Sequence, residues 1–479
     1  MALTHLEEGM VLEGFTLEKL LHRGGMANLW SVTHPDHSDV PLLMKVPKLA
    51  AGEDPAAIVS FEMEQMILPR LKGPHVPRTI AVGDFTQQPF LVMEALPGET
   101  LLPLLGRLPL PPDEVVSIGA AVATALDSLH RQDVIHLDLK PSNVMMRPTG
   151  EAVLIDYGLS HHTRMPDLMA EQFRLPYGTA PYMAPEQVMG VRTYRRSDIF
   201  ALGVLMYFLA TAVRPFGDPQ SLKGLKQRLW RDPVPPRRWR PDIPAWLQEV
   251  IMRCLEPDPD RRHPTAAQVA FDLRNPDQVK LTARAHKLRQ DSWLAAWRRR
   301  MDPSTYEPAA KLATQSKLAT NPIVAVMVDL DQKDPFLFDA MRTALTAVVG
   351  LSPDVRVALV NVLAARAFEP VGGEQASTSR HVARLAALRR WAAPLKLPED
   401  RISVHVLENS NPVEALLDYV RVNHVDQIVM GARSRPGGRP VLGSVSGQIA
   451  QQAPCTVVVV RRRDWRSEVE AREAEQAQA

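Results

Sequence analysis

Within His136-Leu137-Asp138-Leu139-Lys140-Pro141-Ser142-Asn143 the chain sets a carboxylate, an amine and a carboxamide a few residues apart, and Asp156-Tyr157-Gly158 adds a second carboxylate downstream. Moving a phosphoryl group onto a hydroxyl needs a covered phosphate tail, a cation upon it, oxygen ligands for a metal, and a base. The four side chains Asp138, Lys140, Asn143 and Asp156 answer to the last three of those needs. A lone Asp in a loop is ordinarily a turn residue, and four such groups at fixed offsets are not explained that way.

The stretch resembles the catalytic loop of a protein kinase, and the resemblance assigns the roles. It implies that Asp138 is the base, that Lys140 steadies the γ-phosphate of ATP, and that Asn143 and Asp156 ligate Mg2+. Lys45, in Leu42-Leu43-Met44-Lys45, looks like the lysine that grips the α/β-phosphates, and Glu64 in the helix beginning near Ala56 is placed to pair with it. Phe90-Leu91-Val92-Met93-Glu94-Ala95-Leu96 resembles the fifth strand and hinge, whose backbone at Glu94 and Leu96 would bond the adenine edge. By the same resemblance Met93 is the gatekeeper, with Leu29 and Met145 above and below the base; ordinary core positions would carry the same apolar residues.

The match continues through Gly178-Thr179-Ala180-Pro181-Tyr182-Met183-Ala184-Pro185-Glu186, and Asp198 resembles the anchor of the catalytic loop. Arg262 is then the expected buried partner of Glu186. Lys140 and Thr179 favour serine or threonine over tyrosine as acceptor, and protein substrates are the implied partners. The resemblance covers residues 11 to 274.

Three departures carry consequences. The phosphate loop reads Leu21-His22-Arg23-Gly24-Gly25-Met26-Ala27-Asn28-Leu29, so Gly24 keeps the middle glycine, with Gly25 beside it, while His22 and Ala27 replace the other two. Side chains there limit the approach of backbone N–H groups to phosphates. Leu43 stands where a small Ala usually roofs the adenine. Leu137 takes the place of the Arg that a phosphate on the activation segment usually neutralises, and from Arg164 to Gly178 the only hydroxyl is that of Tyr177. The expectation is an enzyme not switched on by phosphorylation of that central segment.

The elements that must hold these groups are legible in part. Alternating apolar residues give strands at Phe15 to Leu21, Leu29 to Thr33, Leu42 to Val46 and Phe90 to Glu94, with a helix from Ala56 to Leu71. From Pro112 to Pro257 the pattern is mostly helical, clearest at Glu114 to Gln132, Asp198 to Ala212 and Pro244 to Leu255. A stretch with Lys280, Arg284, Lys287, Arg289 and Arg298-Arg299-Arg300, interleaved with Trp293 and Trp297, reads as a linker helix with a solvated basic face, or as a surface for a partner or membrane.

From Ile323 the pattern alternates strand and helix. Strands are expected at Ile323 to Asp329, Val355 to Leu363, Ile402 to Leu407, Gln427 to Gly431 and Thr456 to Val460. Helices are expected near Asp339 to Val349, Ser379 to Ala392, Pro412 to Asn423 and Ser444 to Gln452. Apolar strands between helices indicate a parallel sheet covered on both faces. Asp329, Met430-Gly431-Ala432-Arg433-Ser434, Gly443-Ser444 and Ala453-Pro454-Cys455-Thr456 resemble a universal stress protein domain. Ser434 replaces the second glycine of that family's nucleotide motif, and the spacing to Gly443 is short, so nucleotide binding there stays open beside a sensing or dimerising role through the edge strand Thr456 to Val460. Cys455 reads as a small buried hydrophobe rather than a redox switch.

The expected fold class is an α+β bilobal protein-kinase-like domain followed by an α/β doubly wound parallel-sheet domain. The expected divisions are a tail at 1–10, a kinase domain at 11–274, a basic, Pro-containing linker at 275–320, the second domain at 321–463 and an acidic tail at 464–479. Among 479 residues, Lys+Arg 56 against Asp+Glu 54 gives net charge +2, which argues against a dedicated nucleic-acid binder. Cys254 and Cys455 stand far apart without metal-ligand spacing, the start of the chain lacks a signal-peptide pattern, and the longest apolar run, Ile199 to Val213, is shorter than a membrane span. A cytoplasmic enzyme is the expectation, and a homodimer through the C-terminal domain is allowed by it. Two rivals remain: a pseudokinase scaffold binding nucleotide weakly, motivated by the altered glycine loop, and a small-molecule kinase on the same fold.

Overall fold

The computed structural model describes residues 6–24, 27–48, 55–83, 88–173, 177–302, 322–332, 334–350, 355–363, 374–398, 401–432 and 444–461. Gly25, Ser434, Gly443 and the acidic tail therefore lie outside the described residues. The chain divides into two compact units, the first reaching to Thr320 and the second starting at Asn321.

The first unit opens with an antiparallel sheet whose strands run in the order Val11–Leu12, Phe15–Arg23, Ala27–Thr33, Leu42–Pro47, Leu91–Glu94, Thr79–Val82. The two-residue period of a strand decides which face each side chain takes. In Leu42–Pro47 it buries Leu42, Met44 and Val46 with Trp30, Val32 and Phe90, and turns Leu43 and Lys45 the other way. Helix Pro55–Ile67 carries Glu64 and is buried over most of its surface. Between Phe15–Arg23 and Ala27–Thr33 the register shifts at Leu17/Lys19 and at Leu20/His22, bulges of the kind that bend and twist a strand pair.

The helical part is built on Pro112–His130, which starts on a proline with Asp113 and Glu114 in its first turn, where they complement the helix dipole. It packs against Arg196–Thr211 and Ala266–Arg274. Arg196–Thr211 is buried nearly all round, and it meets Ala245–Cys254 at Gly203, where an added Cβ would lie 2.6 Å from that of Cys254. The sequence reading had no strands here, yet Glu99–Thr100, Val134–Ile135, Val144–Met146, Ala152–Leu154 and His161–His162 form two small ladders. Elements of two or three residues are too short to show a period.

The basic stretch after Leu273 is not simply solvated. Arg284 reaches Glu249 and Glu256, Lys287 and Arg299 share Asp232, and Gln248 Nε2 donates to the carbonyls of Arg284, Ala285 and Lys287. Residues 282–301 thus form a strap bound to the helical part, while Trp293, Trp297 and Arg298 stay exposed.

The second unit holds five parallel strands in the order Ile402–Glu408, Arg356–Leu363, Ile323–Met327, Gln427–Gly431, Thr456–Val460. Its central strand is buried at all five positions, as a sheet covered on both faces requires. Helices Pro335–Gly350, Glu374–Ala392, Pro412–Val422 and Ser444–Gln452 follow the expected alternation. Thr456–Val460 is an edge strand.

Candidate active site

Between the sheet and the helical part of the first unit lies a cleft of about 760 Å³. Strand alternation delivers Leu43 and Lys45 into it, and the same wall carries Gly24, Leu29, Met93, Glu94 and Leu96. The opposite wall supplies Asp138, Lys140, Asn143, Met145, Asp156 and Thr179. Every described residue expected at the site therefore lines one cleft, and His22 also borders it.

Lys45 Nζ joins the two walls. It donates to Glu64 Oε2 at 2.5 Å and to Asp156 Oδ1 at 3.0 Å. Burial works to lower the Lys45 pKa, but Asp156 and Glu64 outweigh it and hold the ammonium above its usual range. Lys45 in turn holds the Asp156 carboxyl below the usual carboxylate range. Asp156 takes a left-handed φ of 68°, unusual outside glycine, and its carboxylate stays half-exposed toward the cleft. Tyr157 behind it is fully buried and donates its hydroxyl to Leu154 O at 3.0 Å.

Asp138 is buried and held by four donors. Lys140 Nζ lies 2.6 Å from Oδ2 and Asn143 Nδ2 3.1 Å from it, while Thr179 Oγ1 and N reach Oδ1 at 2.7 and 2.9 Å. The backbone that presents it is fixed by Asp198, whose carboxylate takes the N–H groups of His136 at 2.9 Å and Leu137 at 2.8 Å and the ring of His130 at 2.8 Å. Leu137 is buried at a φ of 63°, and its carbonyl accepts from Gln187 Nε2 at 2.9 Å. At the hinge, Glu94 N donates to Arg78 O and Ala95 N to Pro41 O.

Residues 15–272 match the protein kinase domain family. The chain belongs to that family. Residues 320–461 match the universal stress protein family. The serine/threonine-protein kinase pkn3 of Myxococcus xanthus is 31% identical over 279 residues, covering 56% of this chain and 50% of that protein. The probable serine/threonine-protein kinase PknB of Lactococcus lactis is 28% identical over 261 residues, covering 54% of this chain and 41% of that protein. This chain thus spans half or less of the length of these curated relatives. The crystal structure of the Mycobacterium tuberculosis PknI kinase domain aligns at 26% identity with a TM-score of 0.45, covering 56% of this chain and 99% of that chain.

The stretch from His161 to Arg192 is tied down by groups that sequence reasoning missed. Asp167 caps the helix Leu168–Gln172 through Ala170 N at 3.1 Å, and its other oxygen meets Arg192 Nε at 2.7 Å and His161 Nδ1 at 3.2 Å. Burial opposes ionisation of Asp167, but Arg192 and His161 overcome it and hold the carboxyl well below its usual range. Arg192 also donates to Leu159 O at 2.9 Å. Glu186, farther along, takes Arg262 Nη1 and Nη2 at 2.7 and 2.8 Å and Ser197 Oγ at 2.7 Å, the pairing the resemblance implied. An isolated charge such as Asp167 or Arg192 has no sequence signal; only its partner reveals it.

The second unit holds its own cavity, about 230 Å³, bounded by Asp329, Leu337, Asn361, Met430, Gly431 and Ser446 among others. Asn361 Nδ2 donates to Val328 O at 2.7 Å, and its Oδ1 has no partner among the described residues.

Proposed function

We propose that this chain is a serine/threonine protein kinase that transfers the γ-phosphoryl of MgATP to a hydroxyl of a protein substrate. The observation that carries the reading is the Lys45 ammonium bound at once to Glu64 and Asp156, facing the Asp138 carboxylate across one cleft. Lys45 fixes the phosphate tail, Asp138 accepts the proton that the acceptor hydroxyl releases, and Lys140 balances charge beside it.

The donor set fits magnesium. A small hard cation takes one or two protein oxygens together with phosphates and water, and Asp156 and Asn143 offer such oxygens beside the cleft. Bound there, the ion would screen the phosphate charge that builds during transfer. Leu29, Leu43, Met93 and Met145 give the apolar walls an adenine needs, with the backbone of Glu94 and Leu96 at its edge.

Leu137 and the Asp167–Arg192 pair support control without phosphate on the central activation segment. The second unit reads as a sensing and dimerising module, its strand order stepping out from Ile323–Met327 first one way and then the other, as in a doubly wound sheet. Its cavity supports the sensing role. We place the kinase in the cytoplasm because Cys254 and Cys455 are free thiols, the first with its pKa pushed to about 12 by burial. No described helix is long and apolar enough to cross a membrane.

The test is to incubate full-length protein with labelled ATP and Mg2+ beside an Asp138→Asn control. Label on the chain itself or on a generic basic protein, falling by at least about a hundredfold in the control, is the expected result. Equal labelling of the two, or none with any divalent metal, would leave the pseudokinase scaffold standing.

A further inference from the structure

Arg228, in the 3-10 turn Lys226–Leu229, is 1% exposed. A guanidinium withdrawn that far from water is costly unless its donors are met. Among the described residues its hydrogen-bond partners are backbone carbonyls rather than a carboxylate. Nη2 donates to Ala180 O at 2.9 Å, Nη1 to Met183 O, and Nε to Leu225 O at 3.1 Å. The group also lies over the Phe216 ring, 5.5 Å from its centroid. Burial lowers its pKa to about 10, so it remains a cation at neutral pH.

Ala180 and Met183 belong to the backbone that runs from Thr179, which touches Asp138, to Glu186, which is locked by Arg262. On the kinase reading, that backbone, starting beside the Asp138 base, is the shelf on which an acceptor would lie. Met183, Val188 and Leu225 form an apolar cluster with Ala180 packed on it, so the shelf and the turn bearing Arg228 meet as one packed contact.

The turn is braced from its other end. Asp232 accepts from Lys287 Nζ at 3.1 Å and from Arg299 Nη1 at 3.0 Å, and its carbonyl takes Gln290 Nε2. Arg300 lies 5.5 Å from the Trp230 ring centroid. All four partners come from the strap at 282–301, beyond the residues that match the kinase family.

We propose that Arg228 is a positioning residue for the acceptor shelf, and that the strap keeps it in place through Asp232. The proposal rests on the kinase reading above. A fixed guanidinium then orders the shelf with no modification, and the strap, the covalent lead into the residues after 302, gives the second unit a route to acceptor binding.

The experiment compares full-length wild type with Arg228→Met, Arg228→Lys and Asp232→Asn, using casein as acceptor and hydrogen exchange as a readout that needs no activity. Arg228→Met should raise the casein KM about tenfold while leaving the ATP KM within about twofold. It should also speed amide exchange across residues 179–188 about tenfold without changing exchange around Lys45. Arg228→Lys should restore part of both, and Asp232→Asn should move both the same way by about threefold and add little to Arg228→Met. Unchanged exchange at 179–188, or ATP and casein KM rising together, overturns the proposal. If Arg228→Met does not fold, Arg228→Lys and Asp232→Asn decide on the same readouts. Wild type that labels nothing, with faster exchange at 179–188 in the variants, faults the kinase reading and leaves the clamp standing.

Discussion

Leu137 is the residue of the proposed catalytic loop at which the sequence departs from the pattern it resembles. Its side chain is buried, its φ of 63° is left-handed, and two hydrogen bonds, one given by its N–H to Asp198 and one accepted by its carbonyl from Gln187, hold its backbone there. A conformation that costs on the order of 1 kcal/mol for a non-glycine residue persists because those bonds over-determine it. Restoring the usual arginine should therefore harm the fold rather than add a switch. Leu137→Arg puts a cation into a buried position, with no Ser or Thr between Arg164 and Gly178 to carry a phosphate that would meet it. The expected outcome is a loss of roughly 2–4 kcal/mol in chemical denaturation, with kinase activity no more responsive to phosphatase treatment than in wild type. A variant as stable as wild type whose activity depends on phosphate would overturn this account of Leu137.

At the scale of elements, the segment that carries the short helix Leu168–Gln172 is tied to its surroundings by charge. Asp167 caps its short helix and meets Arg192 and His161. Its folded pKa lies below the ordinary aspartate value near about 3.9, so its contribution is complete above that pH and fades only as pH falls through the lower folded value. Asp167→Asn should speed amide exchange in residues 161–172 by about tenfold at every pH from 5 to 8. Wild type should show no loss of this tether over the same window. Exchange in the variant that converges on wild type near neutral pH would sink the idea. None of this tether was legible in the sequence, because its members are isolated charges whose pairing is made by the fold. That Lys45, Glu64, Asp138, Asn143 and Asp156 share one cleft was legible for the opposite reason: the protein kinase family pattern fixes both their type and their order. The long strands and helices also announced themselves through period, whereas Val134–Ile135 and His161–His162 are too short to have one.

For the whole molecule, the dimerising role proposed for the second unit can be tested at one strand of its sheet. Among the described residues Thr456–Val460 pairs on one side only, with Gln427–Gly431. Ala432 N donates to Val460 O, so alternation along the strand turns the N–H and C=O of Val457 and Val459 to the open edge. A dimer with two-fold symmetry must present the same strand from both copies. Two such strands run antiparallel across the axis, and the two five-stranded sheets become one continuous sheet. Proline at an outward position removes an edge donor without touching the inner ladder. If the proposed dimer forms through this edge, Val459→Pro should leave the unfolding transition within about 1–2 kcal/mol of wild type while the variant sediments as a monomer where wild type sediments as a dimer. A wild type that sediments as a monomer at every concentration, or a Val459→Pro variant that stays dimeric, would rule out this edge as the joint between copies.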